Sequence, residues 1–368
     1  MRKIVLYVPS MTAGGAERVF VNLANEMSKQ SGLEIYLATR FEGVNTKFVT
    51  DRVKIIDQKE ISLYQFYKYL KELNPDIILS TSTSNVRSSI LKFFLSTKTL
   101  FITRAPNIYY PWTSRFRKGF KVKLGSFLLK YAYKYSDGVI SNSPDTEKSL
   151  VASGISNIIK TIGNPVFYRS DINNNPPKPE DVVFPYIVYV GSFKSQKRVD
   201  LLLQAYQKLL SKIDVNLVIV GDGVDNNNKE KAEIFIKENA LQNKVFMVGR
   251  KSDLAGYYKY AKCFVLCSEY EGFGNVIVES MAYGTPVVCF DCPGGPNFIL
   301  GNNQYGQMVK FGDTEKFADR VFDIITKKIE YKESDLTERA LAFSVESITN
   351  EYLDCLKSSY FRKYRVDF

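Results

Sequence analysis

Two glutamates, Glu271 and Glu279, flank a glycine-rich turn in the stretch SEYEGFGNVIVESMAYGT, residues 268–285. Gly272 and Gly274 let the backbone approach a ligand closely and accept positive φ. A helix is predicted from Asn275 to Tyr283, with Gly284 just past its end and Pro286 beyond as a stop. The backbone N–H groups of Phe273–Val276 and the positive end of the helix dipole then make an anion site. A carboxylate is a poor ligand for phosphate but a good acceptor for sugar hydroxyls. The spacing therefore suits a ligand with hydroxyls on both sides of a phosphate, such as a nucleotide sugar. A strand-to-helix turn with solvated glutamates is the alternative.

Elements around this stretch supply more of the same chemistry. The pattern predicts strands at Tyr186–Val190, Asn216–Val220, Val245–Val248, Cys263–Leu266 and Pro286–Cys289, with helices between them. That alternation is a parallel, helix-covered sheet, in which ligands sit at the carboxyl ends of the strands. Polar or glycine-rich segments follow four of these strands. Gly191–Arg198 (GSFKSQKR) offers Ser192 and the cations Lys197 and Arg198. The others are Gly221-Asp222-Gly223, Gly249-Arg250-Lys251 and Glu271–Glu279. One glycine after a strand is common, but four such turns together favour a phosphate site. There is no Walker loop and no D-x-D triplet.

The chain contains no histidine. Ser-His-Asp and Cys-His catalysis and every His-ligated metal site are thereby excluded. Acid–base work falls to carboxylates, Lys, Tyr, Cys or the substrate itself. The five cysteines (Cys263, Cys267, Cys289, Cys292 and Cys355) form an odd set without a signal peptide, which suits a reducing compartment. Cys289-x-x-Cys292 ends an apolar strand and reads as structural. No metal and no cofactor is expected.

The 368 residues allow two domains. KIVLYV at residues 3–8 is a first strand, too short for a signal-peptide core. Gly14-Gly15 then opens a helix over Ala16–Ser28, as in a doubly wound α/β domain. Further strands are predicted at Glu34–Ala38, Val53–Ile56, Asp76–Ser80, Thr99–Thr103, Gly138–Ser141 and Asn157–Ile162. The polar stretch Ser170–Asp181, with NNNPPKP, is the best linker. The expected division is a first domain over 1–168, a linker over 169–183 and a second domain over 184–349.

Charge is uneven. No acidic residue lies between Asp76 and Asp137, and the eleven cations in that interval equal the net charge of +11. A helix is predicted over Arg115–Tyr135, in which Phe116, Phe120, Leu124, Phe127, Leu128 and Tyr131 recur at helical spacing. Arg115, Arg117, Lys118, Lys121 and Lys123 are among its cations. Basic, aromatic and acid-free, it reads as a helix for an anionic membrane surface. A core helix with a solvated basic face is the alternative. No nucleic-acid motif is present, and no apolar run is long enough to cross a membrane.

The segments GGAERVFVNLA (Gly14–Ala24), VGSFKSQKRVDLLLQAY (Val190–Tyr206), VGDG (Val220–Gly223), SEYEGFGNVIVESMAYGTPVV (Ser268–Val288) and GGPNFIL (Gly294–Leu300) resemble glycosyltransferase family 4, retaining enzymes of the GT-B fold. The E-x7-E element is the most specific of these. The resemblance implies two Rossmann-like domains with parallel sheets facing across an interdomain cleft, the first binding the acceptor and completed by the helix at about 350–368, the second binding the nucleotide sugar. It puts Glu279 on the ribose hydroxyls, Glu271 by the donor sugar and Lys197 on the diphosphate. Backbone of Gly272–Val276 and of the Gly14-Gly15 loop would hold that diphosphate, and the base would lie near Arg250–Ser252. Where family members carry an arginine this chain has Ser192, for which Arg198 or Arg250 compensates. Where many carry a histidine it has Arg104-Ala105-Pro106-Asn107, so Arg104 or Asn107 takes that role. The implied reaction moves a hexose or N-acetylhexosamine from a UDP-sugar to a saccharide on a polyprenyl diphosphate or a surface polysaccharide. It implies a peripheral enzyme on the cytoplasmic face of a bacterial inner membrane. A soluble enzyme acting on a small acceptor, and a non-catalytic nucleotide-sugar or polyanion binder, are the other readings.

Overall fold

Short runs of Val, Ile and Leu become the central strands of two parallel sheets because both faces of each sheet are covered by helices. The computed structural model describes residues 1–12, 14–95, 98–109, 120–172, 175–223 and 226–368. Its contacts divide the chain into two units. The first is Met1–Val166 with Phe343–Phe368, and the second is Phe167–Ala342.

In the first unit the strands are β1 (Arg2–Ser10), β2 (Leu33–Arg40), β3 (Lys54–Asp57), β4 (Ile77–Thr81), β5 (Leu100–Ala105), β6 (Gly138–Ser141) and β7 (Ile158–Thr161). Their order is β3-β2-β1-β4-β5-β6-β7, all parallel. The strand order reverses between β1 and β4. One face packs Val5, Tyr7, Ile78 and Phe101 against Phe66 and Leu70 of the helix Leu63–Leu73. That helix starts at a capping box, Ser62 with Gln65.

The returning helix, Val345–Tyr364, starts at the N-cap Ser344 and packs on the helix Gly15–Met27 of the first unit. Arg104 holds it there. This residue ends β5 with no exposed surface. Its Nε donates to Tyr352 Oη at 2.9 Å, and its Nη2 donates to Asn164 Oδ1. Asn164 stands just before the chain leaves the first unit, where the Val166 N–H donates to the Phe343 carbonyl at 3.0 Å. A catalytic Arg104 is therefore corrected. A guanidinium enclosed on all sides cannot touch a substrate, and its partners make it a clamp on both crossings of the chain. Asn107, the alternative for that role, is exposed.

The second unit holds β8 (Tyr186–Val190), β9 (Asn216–Val220), β10 (Val245–Gly249), β11 (Phe264–Leu266), β12 (Val287–Asp291) and β13 (Gln307–Lys310). The order is β10-β9-β8-β11-β12-β13, again parallel. This is the doubly wound nucleotide-binding order, with its switch point between β8 and β11. The edge strand β13 and the helix Glu333–Leu341 are additions to the predicted elements. Among the described residues, no helix is long and apolar enough to cross a membrane.

Candidate active site

The two loops that leave the switch point of the second unit are bonded to each other. After β8 the chain makes a 3-10 turn at Ser195–Lys197. Arg198 then takes the left-handed conformation (φ 49°), and the helix Val199–Leu210 begins. After β11 comes the loop Cys267–Gly274. Gln196 joins the two: its carbonyl accepts from Glu269 N–H at 2.9 Å, and its Nε2 donates to the Tyr270 carbonyl at 2.6 Å. Lys197 Nζ then reaches Glu271 Oε1 at 2.6 Å, and Ser268 Oγ donates to the same oxygen at 2.5 Å. The Lys197 and Glu271 side chains are 17% and 8% exposed, so water screens this pair weakly. Gln196 and Ser268 are absent from the sequence expectations. Gln196 acts across the switch point and leaves no local mark, whereas Ser268 acts within its own loop, three residues before Glu271.

Gly274 is the N-cap of the helix Asn275–Ala282, which starts where the sequence predicts. Its φ is 96°, and as a glycine it brings no capping side chain of its own. The helix dipole and backbone amides thus face the end of the loop that carries Glu271. A second pair of glycines shapes this loop from below. A Cβ on Gly294 (φ +132°) would lie 2.0 Å from the Glu271 carbonyl oxygen, and one on Gly295 would lie 2.0 Å from that of Phe273. The Glu271 N–H also donates to the Pro293 carbonyl at 3.0 Å. GGPNFIL is therefore a floor for the 271–274 loop, and only glycine lets the two backbones come so close.

Glu279 lies in the second turn of that helix, half-buried, and accepts from Tyr258 Oη at 2.8 Å. Tyr258 is itself fixed. It is 1% exposed, its ring stacks on Tyr283 at 6.4 Å, and its carbonyl accepts from Thr285 Oγ1 at 2.6 Å. Burial pushes the phenol well above its ordinary pKa, so it stays a hydrogen-bond donor.

Other predicted site residues fall into three groups. Gly191, Gly221 and Gly249 line the ends of adjacent strands. Gly221 N–H donates to the Gly249 carbonyl at 2.8 Å, and a Cβ on Gly221 would lie 2.0 Å from the Gly191 carbonyl oxygen. Ser192, half-buried, is in the same edge, its carbonyl accepting from Tyr189 Oη at 3.2 Å. The expected cations are mostly engaged. Arg198 is paired with Asp200 at 2.7 Å and Lys251 with Asp181 at 2.6 Å, while Arg250 is exposed. Lys197 is the cation that the switch-point loops hold buried. Finally, Gly14 and Gly15 belong to the first unit, after β1. The space over Gly14 is taken by the Glu17 carboxylate, since a Cβ there would lie 2.1 Å from its Oε2. Burial raises the pKa of Glu17.

All five cysteines are free and buried, and burial pushes the thiols of Cys267 and Cys292 well up. They pack the sheet and are not nucleophiles. Among the described residues, no group of three or more Cys, Asp or Glu is arranged to hold a metal. Arg115, Arg117 and Lys118 lie outside the described residues. Lys121 and Lys123 fall in the helix Phe120–Tyr135, at positions whose side chains are likewise outside the description.

A switch-point crevice with a buried cation, two carboxylates and a helix N-terminus is equipped for a nucleotide sugar. Two family models cover most of the chain: Glycosyltransferase Family 4 matches residues 13–167, and Glycosyl transferases group 1 matches residues 171–341. The chain is a glycosyltransferase of family 4. Among similar proteins is the N-acetylgalactosamine-N,N'-diacetylbacillosaminyl-diphospho-undecaprenol 4-alpha-N-acetylgalactosaminyltransferase of Campylobacter jejuni. It is 27% identical over 333 residues, 84% of this chain and 86% of the relative. A lipopolysaccharide core biosynthesis glycosyltransferase of Rhizobium meliloti is 26% identical over 94% of this chain and 96% of its own. The fold matches an Anabaena protein solved with UDP-glucose, with a TM-score of 0.80 at 19% identity, covering 97% of this chain and all of that one. In this glycosyltransferase the E-x7-E element has a structural account: Glu271 is set by Lys197 and Ser268, and Glu279 by Tyr258.

Tyr258→Phe should therefore loosen Glu279 without touching the ligand. One hydrogen bond to a charged group is worth about 1.5–3 kcal/mol. We expect donor KM to rise about tenfold with kcat nearly unchanged, and the preference for a ribose over a 2′-deoxyribose nucleotide to shrink. An equal fall in kcat with unaltered KM would contradict that role.

Proposed function

We propose that this glycosyltransferase moves a hexose or N-acetylhexosamine, with retention, from a UDP-sugar to a saccharide carried on polyprenyl diphosphate, in the assembly of a bacterial polysaccharide or glycan. The observation that carries the reading is the buried Lys197–Glu271 pair beside the helix start at Asn275. Relatives whose names specify diphospho-undecaprenol acceptors support the acceptor class. Neighbours solved with UDP or UDP-glucose support the donor class.

In this reading the diphosphate displaces Glu271 from Lys197 and takes the first-turn amides of Phe273–Val276. Glu271 turns to the donor sugar, and Glu279 holds the ribose hydroxyls. The bond between the anomeric carbon and the phosphate oxygen breaks. Lys197 and the backbone amides stabilise the charge that grows on the leaving diphosphate. The acceptor hydroxyl adds to the same face and gives its proton to that diphosphate. No histidine and no metal is required. The enzyme works at the anionic cytoplasmic surface, where its acceptor lies.

UDP release from UDP-GalNAc, UDP-Gal, UDP-GlcNAc and UDP-Glc, with a membrane extract as acceptor, tests the proposal. We expect one donor to turn over, an α-linked product by NMR, and rates unchanged by EDTA. Absence of turnover with every donor, despite UDP binding, would mean a binding protein. Turnover on a small soluble saccharide that the extract does not enhance would replace the lipid-linked acceptor.

A further inference from the structure

On the first unit, two packed helices turn apolar residues outward, the reverse of an ordinary amphipathic surface helix. In the helix Phe120–Tyr135, Leu124, Phe127, Leu128 and Tyr131 lie three or four residues apart and are 39–65% exposed. The opposite face is inside: Ala132 and Tyr133 are buried, and Leu129 packs on the cluster around Ala105 and Val139. The helix Ser84–Lys92 packs on this one. Its outer face continues the apolar surface through Ile90 (42% exposed) to Phe93 and Phe94 (64% and 66%) just past its end. Lys130 and Lys134 are exposed on the first helix and Arg87 on the second.

Sign of charge decides what covers such a face. No acidic residue occurs between Asp76 and Asp137, so both helices lie wholly in that interval. At its far end Asp137 is already held by Lys92 at 2.7 Å and Lys363 at 2.8 Å. Two helices with outward apolar side chains, exposed cations and no carboxylate of their own are complementary to a layer that is apolar within and anionic at its surface. A protein partner offers no reason for excluding acid over so long a stretch.

We propose that Phe93, Phe94 and Phe127 insert into the interface of an anionic lipid bilayer, and that Lys130 and Lys134 bind its headgroups. This rests on the lipid-linked acceptor proposed above and identifies the surface that reaches it. The aromatic pair Phe93-Phe94 is the part the sequence pattern does not show. It lies outside the helix over Arg115–Tyr135 in which the sequence shows an apolar stripe.

The test is cosedimentation with vesicles of phosphatidylglycerol and phosphatidylcholine, against phosphatidylcholine alone. The wild-type chain should bind the anionic vesicles. The double substitution Phe93→Ser with Phe94→Ser should weaken binding by about tenfold or more, since each ring loses much of its burial in the interface. Lys130→Gln with Lys134→Gln should weaken it about fivefold per lysine at low salt and hardly at all at high salt. UDP affinity and slow donor hydrolysis, which belong to the other unit, should stay at wild-type values in both variants. Wild-type vesicle binding by the Ser variant overturns the proposal. So does a concentration-dependent dimer abolished by the same substitutions, which would mark a protein interface. Loss of donor turnover in the unsubstituted chain would instead refute the transferase reading and leave the lipid surface standing.

Discussion

Glu271→Gln should split donor binding from turnover, with opposite signs. Glu271 Oε1 accepts from Lys197 at 2.6 Å and from Ser268 at 2.5 Å. The diphosphate must compete for Lys197 with a buried carboxylate. An amide is isosteric and still accepts from both donors, but it carries no charge. UDP affinity should therefore be equal to or higher than wild type, by up to about tenfold, the lower part of what a charged hydrogen bond is worth. Turnover should fall about 10²-fold or more, because Glu271 no longer offers a charged acceptor to the donor sugar. Lys197→Met is the reciprocal arm. It loses the cation that the diphosphate needs, so UDP affinity should drop roughly tenfold to a hundredfold. It also leaves the buried Glu271 charge with Ser268 alone and no cation, and breaking a buried ion pair costs up to about 3–5 kcal/mol of stability. Calorimetric titration with UDP, single-turnover kinetics and thermal melts together resolve these effects. Equal kcat in wild type and Glu271→Gln would remove Glu271 from the chemistry.

Much of this site is legible in the sequence because its determinants are local. Apolar runs such as Leu217–Val220 and Val287–Phe290 show as buried strands. The start of the helix at Asn275 is encoded by the glycine before it, and its end by Gly284 and Pro286. Lys197 and Glu271 could be nominated separately, since each ends a strand-loop segment rich in polar residues. Their contact could not, because it depends on which strands are neighbours at the switch point. For the same reason Gln196 leaves no local signal, while Ser268 and Tyr258 sit near their partners in the chain but in no pattern that marks them. Arg104 shows the opposite error. A cation at a strand end invites a functional role, yet the returning helix buries it, and nothing near residue 104 announces that Tyr352 will arrive. Phe93 and Phe94 carry no local signal of exposure, because which face of the helix they follow is covered depends on the elements packed against it.

Gly294→Ala should impair catalysis as severely as a change at a ligand-binding side chain, although Gly294 offers no side chain to any ligand. Its Cβ would lie 2.0 Å from the Glu271 carbonyl oxygen, and the obstacle is backbone, which no rotamer change can relieve. The loop after β11 must then rise, carrying Glu271 away from Lys197 and from the helix start at Asn275. A displacement of about 1 Å at a reacting centre can cost about 10²-fold in rate. The residue also has φ +132°, so part of the loss is plain backbone strain, on the order of 1–3 kcal/mol. Gly312→Ala separates the two contributions, because Gly312 has φ +85° with nothing within 4 Å of its would-be Cβ. That variant should lose stability and keep kcat, whereas Gly294→Ala should lose both. Steady-state kinetics well below the melting temperature of each variant distinguish the cases. If the two variants retained equal turnover, the glycine floor would be a folding feature only, and the position of Glu271 would be set by its side-chain partners alone.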